Sequence, residues 1–278
     1  MDLPKIPLGE WIEAAEKWLD TNLEPLFDFI TLVIRGFVNV LEKLLNLPPA
    51  IVIIVLFAAL AWLIGRWGLA AFTAVGLLLI DNLGYWSQTM QTLALVLTAA
   101  LISIIIGVPL GILCARSNRL QRILTPVLDF MQTMPAFVYL LPAITFFSLG
   151  VVPGVISSII FAIPPTIRLT NLGIRQVPAD LIEAADAFGS TPMQKLFKLQ
   201  LPIAVPTIMA GINQTIMLSL SMVVIASMVG AQGVGATVYR AVTQVKTGVG
   251  FEAGLAIVIL AIILDRFTQR AIRRSRTS

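Results

Sequence analysis

LALVLTAALISIIIGVPLGILCA, residues 93–115, runs for twenty-three residues without one charged side chain. At 1.5 Å per residue, a helix of this length crosses the roughly 30 Å hydrocarbon layer of a bilayer. Backbone groups in lipid must pair internally, and within one segment only a helix does that. Further apolar runs lie at Ile51–Ile64, Val155–Ile167 and Leu255–Leu264. The composition agrees, with 58% of 278 residues hydrophobic and 12% charged. A soluble domain carries about a quarter charged residues, so this chain has too little polar surface for water. It reads as an all-α, polytopic helical membrane protein.

About seven spans are expected, near 50–65, 67–81, 92–114, 130–149, 153–172, 206–229 and 250–267. The first two are short, separated only by Gly65 and Arg66, and fit a tight hairpin. Ahead of them, residues 1–49 form an extracytoplasmic or interfacial N-terminal segment, with four basic and eight acidic side chains in residues 1–50. Residues 8–22 read as a short amphipathic helix. Residues 24–45, interrupted by Asp28, Arg35, Glu42 and Lys43, read as a helix in the membrane interface or a poor span, the interface being preferred. The transmembrane domain is expected over 50–267, with a long loop at 178–205 and a basic tail at 268–278.

Basic residues in short loops set orientation. Arg116, Arg119 and Arg122 follow the third span, Arg175, Lys195 and Lys198 the fifth, and five arginines crowd residues 265–278 against one acid, Asp265. Those ends are expected in the cytoplasm, which puts the N-terminus outside and the C-terminus inside a cell membrane. The arginine tail reads as a topological anchor rather than a nucleic-acid arm. The opening MDLPKIPLGEW lacks the basic and apolar regions of a cleaved signal.

Inventory excludes much chemistry. Cys114 is the only cysteine and histidine is absent, so an intrachain disulfide, a Cys/His metal site and a Ser-His-Asp triad are all ruled out. No metal and no enzymatic activity are expected. The glycine-rich GAQGVG at 230–235 is not a phosphate-binding loop, because it lacks the G-x-x-x-x-G-K-[ST] pattern and follows an apolar helix.

The loop VPADLIEAADAFGSTPMQKLFKLQLPIAVP, residues 177–206, carries dense local signals. Asp180 with Glu183, and Thr191 with Gln194, have capping-box spacing. Gly189 supplies a left-handed stop, Pro192 opens a second helix and Pro202 is expected to end it. Two short helices joined by a sharp turn follow. Their apolar side chains (Leu181, Ile182, Phe188, Leu196, Phe197, Leu199) either fold back on the bundle or dock into a soluble partner. The residues alone leave these two readings even.

EAADAFG at 183–189 with LQLP at 199–202 resembles the EAA loop of ABC-importer permeases, whose pattern is EAA, three residues, Gly, nine residues, then Ile-x-Leu-Pro. The one departure is Leu199 for isoleucine, which conserves volume. The resemblance implies the type I permease bundle, with Glu183, Ala184, Ala185, Gly189, Leu201 and Pro202 at the joint with a separate ATPase. ATP is then bound by the partner and no cofactor by this chain. The segments at 132–142, 181–202 and 206–235 further resemble permeases of glycine betaine/proline betaine osmoprotectant importers. That implies a homodimer, a cytosolic ATP-binding subunit, an extracytoplasmic substrate-binding protein, contact with membrane lipid and none with nucleic acid.

For a small zwitterion the spans offer neutral polar groups rather than charges: Gln132 and Thr133 in the fourth, Asn213, Gln214, Thr215, Ser219 and Ser221 in the sixth. Gln132, Thr133, Asn213, Gln214 and Ser219 are the candidate path residues, with inter-helix hydrogen bonding as the plainer role for Gln132, Asn213 and Gln214. Asp129 and Arg168 lie near span edges. The alternatives are an EAA-loop permease for another small solute, such as an amino acid or sulfonate, and an ATP-independent secondary transporter. The latter would be expected to carry intramembrane relay carboxylates, which are scarce here. A membrane enzyme or sensor scaffold is the third class, disfavoured by the same inventory.

Overall fold

The computed structural model describes the backbone of residues 7–275 and the side chains of residues 7–270. Among the described residues there are helices and turns only. The arginines at 273, 274 and 276, and most of the basic tail, have side chains outside this description.

Three helices form the centre: α3 (Trp86–Arg116), α6 (Val151–Arg175) and α9 (Leu201–Ser221). Small residues let them approach. A Cβ added at Gly111 of α3 would lie 2.5 Å from Thr170 Cβ and 2.8 Å from the Ile167 carbonyl of α6. Gly107, one turn earlier, faces Thr166 in the same way, and Gly211 of α9 sits on the Pro165 carbonyl. Close backbone contact replaces the hydrophobic drive that lipid removes. The Thr166 and Thr215 hydroxyls bond across α6 and α9 at 2.7 Å, and Thr215 also donates to the Ala162 carbonyl at 2.8 Å, beside the Pro164–Pro165 pair.

The hairpin at residues 50–82 forms. The helix α2 (Ala50–Asn82) breaks at Arg66, whose φ of 63° and ψ of −172° leave helical space. Ile54 and Ile80 share one cluster with Ala253, Ala256 and Ile259 of α12 (Thr247–Ser275). A straight helix would hold them about 39 Å apart, so the two halves run side by side. Phe57 stacks on Phe267 with centroids 6.3 Å apart, and Arg270 bonds the Gly65 carbonyl near the turn.

The expected span at 130–149 is broken. α4 (Asn118–Thr133), capped by Ser117 through Leu120 N–H at 3.3 Å, meets the helical segment Ala136–Phe147 at 105°. That segment is a 3₁₀ turn (Ala136–Tyr139) leading into α5 (Leu140–Phe147). The bend sits at Met134, held extended at ψ 135° by the following Pro135.

The break expected near residue 23 does not occur. α1 (Leu8–Asn46) is one helix, and Phe27, Ile30, Ile34, Val38, Leu41 and Leu45 recur at three- and four-residue spacing as a single stripe on the core. Phe27 stacks on Phe146 at 4.6 Å and meets Phe147 edge-on at 5.5 Å. The loop expected at 230–249 contains α11 (Val234–Thr243), and α9 stops at Met222 before the short α10 (Val223–Ser227).

The bundle has two distinct ends. At one, α3 begins at Trp86, α6 begins at Val151, and the turn at 228–233 is tied down by Gly150 N–H to Val229 O (2.8 Å) and Val234 N–H to Thr92 Oγ1 (2.9 Å). Tyr85 donates its hydroxyl to Glu252 at 3.2 Å here. Burial first, and that carboxylate second, raise the phenol above its usual 10.0 and keep it a donor. At the other end lies the loop at 178–205.

Candidate coupling loop and polar sites of the bundle

The loop opens with α7 (Ala179–Ala187), whose cap is Pro178 in extended geometry, not Asp180. Asp180 instead lies in the first turn, where its charge suits the helix dipole. Proline, with no N–H to satisfy and a fixed φ, made the earlier start the easier one. The helix closes in a Schellman arrangement: Gly189 N–H bonds Asp186 O at 2.9 Å and Ser190 N–H bonds Ala185 O at 3.0 Å. Gly189 has the left-handed φ of +73° this turn requires. The second helix, α8 (Pro192–Lys195), starts from a full capping box, with Thr191 N–H to Gln194 Oε1 at 2.8 Å and Gln194 N–H to Thr191 Oγ1 at 3.3 Å. Lys195 pairs with Asp186 at 2.5 Å and ties the two helices together.

Pro202 does not end the second helix. The chain widens into a π turn over Leu196–Gln200, in which Leu201 N–H reaches the Leu196 carbonyl, and then runs directly into α9. In a regular helix the Pro202 ring would strike the carbonyl of Lys198. The wider turn removes that clash, so α8, the π turn and α9 form one continuous rod.

The apolar side chains of the loop divide. Leu196 is buried with Ile174, Ala204 and Ile208, and anchors the rod to the bundle. α7 buries none of its residues; Phe188 is 90% exposed and Phe197 58%. Glu183, Ala184 and Gly189 are exposed and Ala185 is half-buried. Leu201 and Pro202 open α9. Arg116 at the end of α3 reaches Met193 Sδ at 3.7 Å, bringing a second span into contact with the loop.

The candidate path residues lie on α4 and α9 in different surroundings. Gln132, Thr133 and Gln214 are exposed on this chain. Asn213 is held by α12: it donates to Asp265 at 2.9 Å and accepts from Thr268. Ser219 is fully buried and its hydroxyl has no protein partner. Asp129 and Arg168, apart in sequence, form an ion pair at 2.6 Å between α4 and α6. The cross-helix bonds of Thr166, Asp265 and Arg168 were hidden in the sequence, because single polar residues in apolar runs do not name their partners. Among the described residues no group of His, Cys, Asp or Glu is placed to hold a metal.

Residues 107–277 match the family model for the binding-protein-dependent transport system inner membrane component. The chain belongs to that family. This inner membrane component is 61% identical to the glycine betaine transport system permease protein OpuAB of Bacillus subtilis, over 96% of this chain and 95% of the relative. It is 56% identical to the glycine betaine/carnitine transport permease protein GbuB of Listeria monocytogenes, over 99% of both. The glycine betaine/proline betaine permease ProW of Escherichia coli is 53% identical over 98% of this chain and 77% of its own length. Two inward-facing crystal forms of the MetNI methionine ABC transporter share the fold at 24% identity. They align with TM-scores of 0.61 and 0.63, over 66% and 68% of this chain and 92% and 94% of the matched chain. As a transport permease, this inner membrane component has the helical bundle and the uncovered loop on a shared scaffold.

Proposed function

We propose that this chain is the permease subunit of an ATP-driven importer for glycine betaine and related betaine osmoprotectants. It works as a homodimer in the cell membrane, with its N-terminus outside and its C-terminus in the cytoplasm. A separate cytosolic ATP-binding subunit docks on the loop at 178–205 through Glu183, Ala184, Ala185 and Gly189, and an extracytoplasmic protein delivers the solute. The single observation that carries the coupling role is α7, a helix closed by the Gly189 turn with no buried residue, joined to a rod that continues into α9. A partner moving the loop moves the span with it. Support for the solute class comes from OpuAB, GbuB and ProW, 61%, 56% and 53% identical to this chain and all named for glycine betaine, which argues against an amino acid or sulfonate.

Uptake of labelled glycine betaine is the test, measured at raised osmolarity with and without the gene, and with and without cellular ATP. ATP-dependent uptake lost on deletion and restored by the intact gene is the expected result. Uptake that persists without ATP would return the secondary-transporter reading. A reporter fused to the N-terminus and active only in the cytoplasm would overturn the orientation.

A further inference from the structure

At the bundle end remote from the coupling loop, a cavity of about 290 Å³ lies between α1, the start of α3 and the turns at 150–151 and 230–232. Arg35, Asn39 and Glu42 enter it from α1, Gln91 from α3 and Gln232 from the turn. Gln91 donates to Glu42 at 3.0 Å and lies 3.4 Å from Gln232 Oε1, so one amide joins α1 to the turn. A second cavity of about 500 Å³ continues past Gln91 and Gln232 toward Arg240.

Arg35 and Glu42 are seven residues apart, two turns on one helix face, so their Cα atoms are separated by about 10.5 Å. Both line this cavity, and neither is in an ion pair among the described residues. Opposite charges aimed at one space and left apart are matched by a solute that brings both signs. A simple cation meets repulsion from Arg35, and a simple anion meets it from Glu42. The planar guanidinium takes a carboxylate in a two-point bond. A quaternary ammonium has no N–H, so it needs only negative and carbonyl oxygens around it, which Glu42, Gln91 and Gln232 supply.

We propose that this cavity is a low-affinity entry site for a small zwitterion, in which Glu42 faces the cationic group and Arg35 the carboxylate. The assignment rests on the importer reading and deepens it, because the proposed orientation turns this end toward the delivering protein. GAQGVG at 230–235 then has a role beyond a connecting turn: it carries Gln232, the amide opposite Gln91.

The test uses the permease assembled in proteoliposomes with its ATPase and binding protein. Glu42→Gln and Arg35→Gln are each expected to raise the half-saturating glycine betaine concentration about tenfold, the scale for losing one partly exposed charged contact. The affinity of the binding protein itself stays unchanged. Unchanged half-saturation in both variants overturns the site. No uptake by the wild-type assembly would instead refute the importer reading beneath it. A second measurement does not depend on those variants folding: Asn39→Cys places a thiol at the cavity in a chain whose native Cys114 is buried. Saturating glycine betaine is expected to slow its modification by a methanethiosulfonate severalfold, while choline or acetate at the same concentration does not. Absence of protection, or equal protection by choline, overturns the proposal.

Discussion

Gly189→Val separates a folded bundle from a working loop. Gly189 sits at φ +73°, and a Cβ built there meets nothing within 4 Å, so the substitution costs backbone strain rather than a clash. Forcing an L-residue into the left-handed region costs about 1–2 kcal/mol, with a β-branched side chain at the upper end. The chain can escape by abandoning the turn, but that breaks the Gly189 and Ser190 bonds to Asp186 and Ala185. α7 buries nothing, so either outcome leaves the bundle intact. The variant is therefore expected to insert, purify and melt like the parent. About 2 kcal/mol charged to the docking conformation lowers association with the ATPase about thirtyfold. Co-purification of a tagged ATPase, quantified against its concentration, reads this directly. Gly189→Asn, which tolerates the left-handed region, is expected to recover most of the association. Normal association of the valine variant would refute the role of the turn, and failure of asparagine to rescue would refute the backbone argument.

Other substitutions probe the packing. Gly111→Leu drives a side chain into Thr170 and the Ile167 carbonyl, and is expected to yield no monodisperse protein in detergent, whereas Gly254→Ala, where a Cβ meets nothing within 4 Å, melts as the parent does. Thr215→Val removes the bonds to Thr166 and Ala162 and is expected to lower stability by about 1–3 kcal/mol, read as a shift in thermal unfolding. Pro202→Ala allows the π turn to relax into regular helix, which turns the loop relative to α9 by about 100°. That variant is expected to keep the ATPase bound while the solute moved per ATP hydrolysed falls. Lys195→Ala breaks an ion pair that is half exposed at Asp186, and is expected to change stability by less than about 1 kcal/mol.

The membrane class, the all-helical fold, the hairpin at Arg66 and the loop with its glycine turn were legible in the residues. Long uncharged runs leave helix as the only way to satisfy a backbone in lipid, and turn chemistry is local, so Gly189, Thr191 and Gln194 announced their roles without help. Tertiary structure decided what depends on partners distant in sequence. Pro202 alone signals an end; only the room for a π turn above buried Leu196 lets the helix continue. Asn213 alone reads equally as path lining or as an inter-helix bond; Asp265 and Thr268, about fifty residues away, supply that bond between α9 and α12. Arg35 and Glu42 read as the water-facing charges of an interfacial helix until the stripe from Phe27 to Leu45 seats α1 on the bundle and turns both charges into one cavity. Local conformation is written in neighbouring residues, whereas the use of an isolated polar side chain is set by whichever helix packing brings against it.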